Sequence, residues 1–145
     1  KKRFSEQIEL ANSLDLPIVV HNRESDNDLY NILKKYKPKG VIHCFASDTI
    51  FAKKIIDLGL LLSFTGIITF KNSTLDDVVR SIPLSKLMIE TDSPYLTPEP
   101  YRGKRNEPSY ISIIAKKIAE IKGVSINDVI SETTSNALNL FHKLT

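Results

Sequence analysis

The sequence contains little of what would mark a secreted or membrane protein. It has a single cysteine, Cys44, so an internal disulfide is excluded. Chains without disulfides are typical of reducing compartments, and we therefore predict a cytoplasmic protein. No apolar run approaches the roughly 18 residues that a membrane span needs. The longest candidate, residues 58–64, is interrupted by Gly59 and Ser63, so we expect no membrane partner.

Excess charge of one sign is also scarce. The 20 Lys and Arg residues exceed the 17 Asp and Glu residues by only three, which is too little to indicate nucleic-acid binding by itself. The composition, 41% apolar and 26% charged, is typical of globular domains. Function must therefore be inferred from local patterns rather than from bulk charge.

Helices and strands are predicted to alternate along the chain. Apolar residues at helical spacing indicate an opening helix that ends near Leu14, followed by helices at residues 26–36 and 49–57. Three more helices are expected to begin at Ser73 with Asp76 as capping partner, at Pro108, and at Ser125 with Asp128 as capping partner. Short apolar runs predict strands at residues 17–21, 41–45, 60–64 and 87–90.

This alternation predicts an α/β protein with a parallel sheet and right-handed crossovers. Two architectures fit, an open doubly wound sheet and a closed (β/α)8 barrel. No Gly-rich dinucleotide loop or P-loop occurs. An eight-unit barrel needs roughly 250 residues, so the four strands predicted here would form about half of one. The chain also opens inside an amphipathic helix and without Met, and we expect a truncated start.

Polar residues that can bind metal ions lie at the predicted strand ends. His21 ends the first strand, His43 lies near the end of the second, and Asp92 follows the fourth. In parallel α/β folds, ligands collect at the carboxyl ends of strands. Two imidazoles and a carboxylate suit a divalent ion such as Zn²⁺ or Mn²⁺. The alternative, that each is a hydrogen-bonded residue at the rim of the core, stays open at this point.

Five motifs resemble those of the TatD-family deoxyribonucleases, in the same order along the chain. They are PIVVHNR (17–23), VIHCF (41–45), FTG followed by FK (64–66 and 70–71), ETDSPY (90–95) and RGKRNEP (102–108). The likeness covers essentially the whole chain. It implies a TIM-barrel hydrolase that cleaves DNA with divalent metal ions.

The resemblance also implies roles for particular residues. His21, His43 and Asp92 match metal ligands of the family, and Asp92 is the expected catalytic residue. The ions would be Mg²⁺, Mn²⁺ or Zn²⁺, two of them in the complete enzyme. The family further uses an early His-x-His pair and a Glu that do not occur in residues 1–145. We therefore expect the C-terminal half of a single TIM-barrel domain, which needs the N-terminal half of the same barrel as its partner and is inactive alone.

Other residues near these motifs are candidates for binding DNA or for supporting the metal ligands. Arg suits phosphate because its planar fork matches two phosphate oxygens at once, and the candidate phosphate binders are Arg23, Arg102 and Arg105. Glu90 is expected either to support the metal site or to pair with an Arg or Lys. Glu107 is a second candidate for support, although it could instead lock an Arg of its own loop. Tyr95 could stack on a base or serve as a packing anchor.

Three functions remain compatible with these observations. The leading one is a metal-dependent deoxyribonuclease of which this chain is a part. A metal-dependent hydrolase acting on another ester or an amide is the first alternative. The second is an inactive half-barrel that serves as a scaffold or binding module. The early His-x-His pair and the Glu of the family distinguish the two enzymes from the scaffold, because only the enzymes need these ligands.

Overall fold

Four short strands alternate with helices in a computed structural model that describes residues 1–144. The strands are β1 (Ile18–His21), β2 (Gly40–His43), β3 (Leu61–Phe64) and β4 (Leu87–Ile89). The α-helices are α1 (Lys2–Ser13), α2 (Asp26–Tyr36), α3 (Thr49–Asp57), α4 (Leu75–Ser81), α5 (Ile111–Lys122) and α6 (Ile126–Leu140). Short 3₁₀ turns lie at Gly66–Thr69, Leu84–Lys86, Pro108–Tyr110 and His142–Leu144. Over the described residues, no helix combines the length and the apolar character that crossing a bilayer requires.

The strands form one sheet in the order β1-β2-β3-β4, and every neighbouring pair is parallel. His21 is in register with His43 across the first pair. The predicted α/β class, with a parallel sheet in sequence order, is confirmed. That these strands are half of a barrel wall stays a prediction.

The two faces of the sheet differ in what covers them. Val20, Ile42 and Leu62 lie in a hydrophobic core that also contains residues from all six α-helices. The helices therefore pack on one face. Val19, in contrast, is 60% exposed. Because side chains alternate along a strand, His21 and His43 point to the face opposite the helical layer.

Most helix ends have the local chemistry that the sequence indicates. Helices α2 and α3 have the predicted bounds, and the N-cap of α3 is Asp48, whose side chain accepts a hydrogen bond from Phe51 N at 2.7 Å. Gly123 ends α5 with φ at 66°, a left-handed conformation that favours glycine. Ser125 and Asp128 form the predicted capping box of α6.

One predicted helix start is wrong. Helix α4 begins at Leu75, and its N-cap Thr74 has no side-chain capping bond. Ser73 Oγ accepts a bond from Leu75 N at 3.3 Å instead of closing a capping box with Asp76. The Asp76 carboxylate lies 3.2 Å from Lys117 Nζ of α5. An ion pair between neighbouring helices has thus replaced the local cap.

Two strands are shorter than predicted at their carboxyl ends. Strand β2 ends at His43 rather than at residue 45, because Cys44 takes a left-handed conformation with φ at 49°. Strand β4 ends at Ile89, one residue early. The polar residues that follow therefore lie in loops above the sheet.

Candidate metal centre

The carboxyl ends of β1, β2 and β4 bring the predicted ligands to one edge of the sheet. His21 and His43 are the last residues of their strands, and their ring centroids lie 6.0 Å apart. Asp92 lies three residues beyond β4. Its Oδ1 atom is 3.5 Å from His43 Nε2. The structure therefore brings His43 and Asp92 together, with His21 beside them.

Glu90 fixes the orientation of the His43 ring. Its Oε2 atom is 2.9 Å from His43 Nδ1, and its Oε1 atom accepts a bond from Cys44 N at 2.7 Å. An ionised carboxylate only accepts hydrogen bonds, so Nδ1 carries the proton. In the neutral imidazole, Nε2 then keeps its lone pair and faces Asp92. A carboxylate behind the ring is the usual support of metal-binding histidines.

The atoms His43 Nε2 and Asp92 Oδ1 suit a shared cation. With His43 neutral and its proton on Nδ1, both atoms are acceptors, and they lie 3.5 Å apart. A tetrahedral ion with ligands at about 2.0–2.1 Å holds two ligand atoms about 3.4 Å apart. Imidazole nitrogen and carboxylate oxygen are donors that Zn²⁺ and Mn²⁺ accept. The residues present therefore fit a divalent ion.

The set of ligands is not complete in the part of the chain that the structure describes. Within residues 1–144, no three His, Cys, Asp or Glu side chains are grouped closely enough to hold an ion together. His21 is exposed, and its ring is tilted by 43° to that of His43. The assignment of His21, His43 and Asp92 as a ligand set accordingly stays a prediction.

Asn106 holds the segment that carries Asp92, a role that was not predicted from the sequence. Its side chain donates from Nδ2 to the carbonyl oxygens of Thr91 at 2.6 Å and Tyr95 at 2.5 Å. The residue is only 2% exposed. Asp92 has a left-handed backbone with φ at 58°, a conformation that persists when its surroundings enforce it. The one signal in the sequence was the position of Asn106 inside the RGKRNEP motif.

Cys44 lies next to the site but has the character of a neutral thiol. Burial raises the pKa of this thiol, and the negative charges of Glu90 and Asp92 raise it further. A hydrogen-bonding contact with Thr65 acts in the opposite direction and is weaker than burial. The thiolate is the nucleophilic form, so burial and the neighbouring charges disfavour Cys44 as a nucleophile.

A second polar network links the loops after β1 and β2 and was also missed. Asp26 accepts a bond from Asn22 Nδ2 at 2.6 Å and another from Ser47 Oγ. Arg23 lies directly after Asn22, is exposed, and lines an open cleft with these residues. The loop that carries Arg23 is therefore tied to the loop that follows β2.

The loop after β4 presents the other two candidate phosphate binders. The Arg102 guanidinium carbon lies 3.9 Å from the centroid of the Phe70 ring. Among the described residues, the arginines in ion pairs are Arg3 and Arg80. Arg102 and Arg105 are thus not locked to Glu107, which is exposed. The structure does not show the alternative in which Glu107 pairs with an Arg of its own loop. That Glu107 supports the metal ligands stays a prediction.

Comparison with known sequences identifies relatives along nearly the whole chain. A family model described as TatD related DNase matches residues 1–142. The metal-dependent hydrolase YabD of Bacillus subtilis is 44% identical over 145 residues, which cover 97% of this chain and 57% of YabD. The metal-dependent hydrolase YcfH of Escherichia coli K12 is 41% identical over 146 residues, covering 98% of this chain and 55% of YcfH. The chain spans about half the length of these curated relatives.

Solved structures show the same fold. YjjV, a TatD homologue from Escherichia coli K12, superposes with a TM-score of 0.88 at 27% identity, over 94% of this chain and 54% of YjjV. An amidohydrolase from Saccharomyces cerevisiae superposes with a TM-score of 0.83 at 19% identity, over 95% of this chain and 58% of that one. The second likeness concerns the fold alone.

Proposed function

This chain belongs to the TatD family of DNase-related proteins, and from that premise we propose that it is part of a divalent-metal-dependent hydrolase that cleaves DNA phosphodiester bonds. One observation carries the proposal. Glu90 Oε2 accepts a hydrogen bond from His43 Nδ1 at 2.9 Å, and Nε2 on the other side of the ring faces Asp92 Oδ1 at 3.5 Å. Two acceptors held in this way form a cation site.

In this proposal His43 and Asp92 would hold the ion, and His21 would join them from the neighbouring strand. When bound, the ion would supply Lewis acidity to the phosphate and allow water to react at neutral pH. Asp92 also orients the attacking water and accepts its proton. Glu90 keeps the His43 ring in the orientation that these roles require.

The DNA backbone is bound by the exposed arginines around the site. Arg23 lies on the loop after β1, and Arg102 and Arg105 lie on the loop after β4. Among the described residues, the arginines in ion pairs are Arg3 and Arg80. The charges of Arg23, Arg102 and Arg105 are therefore available to bind phosphate. A planar guanidinium binds two phosphate oxygens at once.

The complete enzyme contains further β/α units that close the sheet into a barrel and supply more ligands. The placement of all six helices on one face supports this, and so does the likeness to YjjV over about half of that protein. A two-ion site needs ligands beyond His21, His43 and Asp92. We assign those ligands to the remaining units.

The test is a cleavage assay on the protein expressed from its full reading frame. Single-stranded and duplex oligodeoxynucleotides are incubated with Mg²⁺, Mn²⁺ or Zn²⁺, before and after chelation. We expect cleavage that stops on chelation and returns with metal. Hydrolysis of a carboxylic ester or amide without DNA cleavage would contradict the nuclease proposal and favour the alternative of another metal-dependent hydrolase. A protein that hydrolyses none of these would contradict the proposal and favour a scaffold.

A further inference from the structure

Arg102 and Phe70 form a cation–aromatic pair between two loops. Phe70 lies on the segment that follows β3, and Arg102 lies on the loop that follows β4. The guanidinium carbon is 3.9 Å from the centroid of the Phe70 ring, so the two groups are in van der Waals contact. Both segments leave the edge of the sheet that carries His43 and Asp92. Arg102 is a candidate phosphate binder, whereas Phe70 has no assigned role.

The Phe70 ring leaves the N–H donors of Arg102 without a protein partner. A guanidinium is attracted to the face of an aromatic ring and can keep its donors for an anion at the same time. Within residues 1–144, the arginines in ion pairs are Arg3 and Arg80. Arg102 is also exposed. The pair therefore restricts where the guanidinium lies and keeps its charge available.

Phe70 is itself held by the turn that carries it. Phe70 N donates to Ile67 O at 3.0 Å, and Phe70 O accepts from Ser73 N at 2.9 Å. The residue is half-buried and therefore also packs against its own segment. An aromatic side chain on a fixed backbone has few torsions to order. The ring is thus a fixed support for the longer and more flexible Arg side chain.

The two loops are joined at other points as well, so the pair does not depend on the stack alone. Gly66 lies so close to the loop after β4 that a Cβ atom there would collide with Leu96 O. Glu99 N donates to Thr69 Oγ1 at 2.9 Å. These contacts lie before Phe70 on one loop and before Arg102 on the other. They hold the ring and the guanidinium at a set distance.

We propose that Phe70 is a positioning residue for the DNA substrate, which holds the Arg102 guanidinium in place to bind a phosphate of the DNA strand. The inference rests on the proposed function and adds the segment after β3 to the DNA-binding surface. A free Arg side chain loses conformational entropy when it binds a ligand. A ring that restricts the side chain beforehand removes part of that cost.

The test measures whether the effect of Phe70 depends on Arg102. Binding of a labelled oligodeoxynucleotide to the protein from its full reading frame is followed by fluorescence anisotropy with Ca²⁺ present. The proteins compared are the wild type, Phe70→Leu, Arg102→Ala and the double variant. We expect Phe70→Leu to raise the Kd by about 2- to 10-fold, the cost of ordering one flexible side chain. In the Arg102→Ala background it should cause no further increase, because the group that it positions is gone.

Two further variants separate positioning from a general effect of removing a ring. Phe70→Tyr keeps the ring and is expected to bind DNA as the wild type does. Tyr36→Leu is the matched control, because Lys35 Nζ lies 4.9 Å from the Tyr36 ring centroid at the end of α2, just before β2 begins. It should leave the Kd unchanged. A loss on Phe70→Leu that is equal with and without Arg102 would overturn the inference.

Arg102→Lys decides the question if Phe70→Leu does not fold. Arg102 is exposed, and Lys keeps the charge but lacks the planar group that stacks on a ring and binds two phosphate oxygens at once. We expect the Kd to rise nearly as much as in Arg102→Ala. Wild-type affinity in Arg102→Lys would overturn the inference, because a charge without a stacked plane would then suffice.

Cleavage kinetics separate this inference from the proposed function. Phe70→Leu is expected to raise KM with little change in kcat, since the phosphate contact is the same in the ground state and in the transition state. An unchanged KM in an active enzyme would overturn the inference and leave the nuclease proposal intact. Binding that depends on Phe70 through Arg102, without any cleavage, would uphold the inference although the nuclease proposal had failed. A wild type that binds no DNA would overturn both.

Discussion

At the scale of single residues, Glu90 determines what His43 can do. The carboxylate uses both oxygens, one on the His43 ring and one on the backbone N–H of Cys44. The second bond holds Cys44 in its left-handed conformation just after β2. One side chain thus positions the imidazole and also stabilises the turn that ends the strand.

Asp92→Asn separates catalysis from binding. The substitution keeps the shape of the side chain but removes the charge that holds the ion and accepts a proton, and it leaves the arginines in place. We expect kcat to fall by about 100-fold or more, the usual range for loss of a general base, while the Kd for DNA changes little. Asp57→Asn, at the exposed end of α3, is the control. Equal losses in kcat and in affinity would make Asp92 a structural residue.

The sequence predicted which side chains could bind a metal ion, but it did not predict the contacts that hold them in place. His43 and Asp92 do meet, because parallel strands bring their carboxyl ends to one edge. Asn106 was missed because it lies in a loop without regular spacing. Its burial depends on bonds to Thr91 and Tyr95, more than ten residues away. No local pattern encodes such a contact.

At the scale of elements, a capping box predicted from the sequence formed where its side chains had no competing tertiary contact. Ser125 and Asp128 cap α6 as predicted, and both are exposed. Ser73 and Asp76 have the same spacing, but Asp76 pairs with Lys117 of α5. The bounds of α2 and α3 agree with the prediction because Lys37–Gly40 and Gly59 interrupt the helical pattern. A cap can therefore be predicted from sequence only when its side chains have no partner elsewhere.

The loop at residues 91–107 is expected to depend on Asn106. In Asn106→Asp, a carboxylate oxygen would replace the Nδ2 donor and face the carbonyls of Thr91 and Tyr95. We expect the free energy of unfolding to fall by about 1–3 kcal/mol, the cost of leaving buried polar groups unpaired. Urea denaturation measures the change. Asn72→Asp, at an exposed turn, should have little effect, and a similar loss in both variants would contradict this account of the loop.

At the scale of the whole molecule, the sheet formed by the described residues has two open edges. Strands β1 and β4 each have one hydrogen-bonded neighbour in the described structure. Val19 on β1 is 60% exposed, and Leu138 on α6 is 50% exposed. Unpaired parallel edges with apolar surroundings favour association with other strands. The proposed barrel covers these edges with the remaining β/α units.

Residues 1–145 by themselves are therefore expected to associate and to show little or no nuclease activity. The two-ion site needs ligands beyond those of this chain, and the open edges favour pairing between copies. Size-exclusion chromatography and a DNA cleavage assay with Mg²⁺, Mn²⁺ and Zn²⁺ test both expectations. A monodisperse monomer with metal-dependent cleavage that Asp92→Asn abolishes would show that the other units are dispensable.

The central claim is that His43 and Asp92 hold a divalent ion, and direct titration of metal tests it most simply. Isothermal titration of Zn²⁺ or Mn²⁺ into the protein from its full reading frame compares the wild type with His43→Ala and Glu90→Gln. The control is His142→Ala, which alters an exposed residue at the opposite end of the sheet. We predict that His43→Ala abolishes binding at one site, that Glu90→Gln weakens it by about 10- to 100-fold, and that His142→Ala leaves it unchanged. Wild-type affinity and stoichiometry in His43→Ala would contradict the claim.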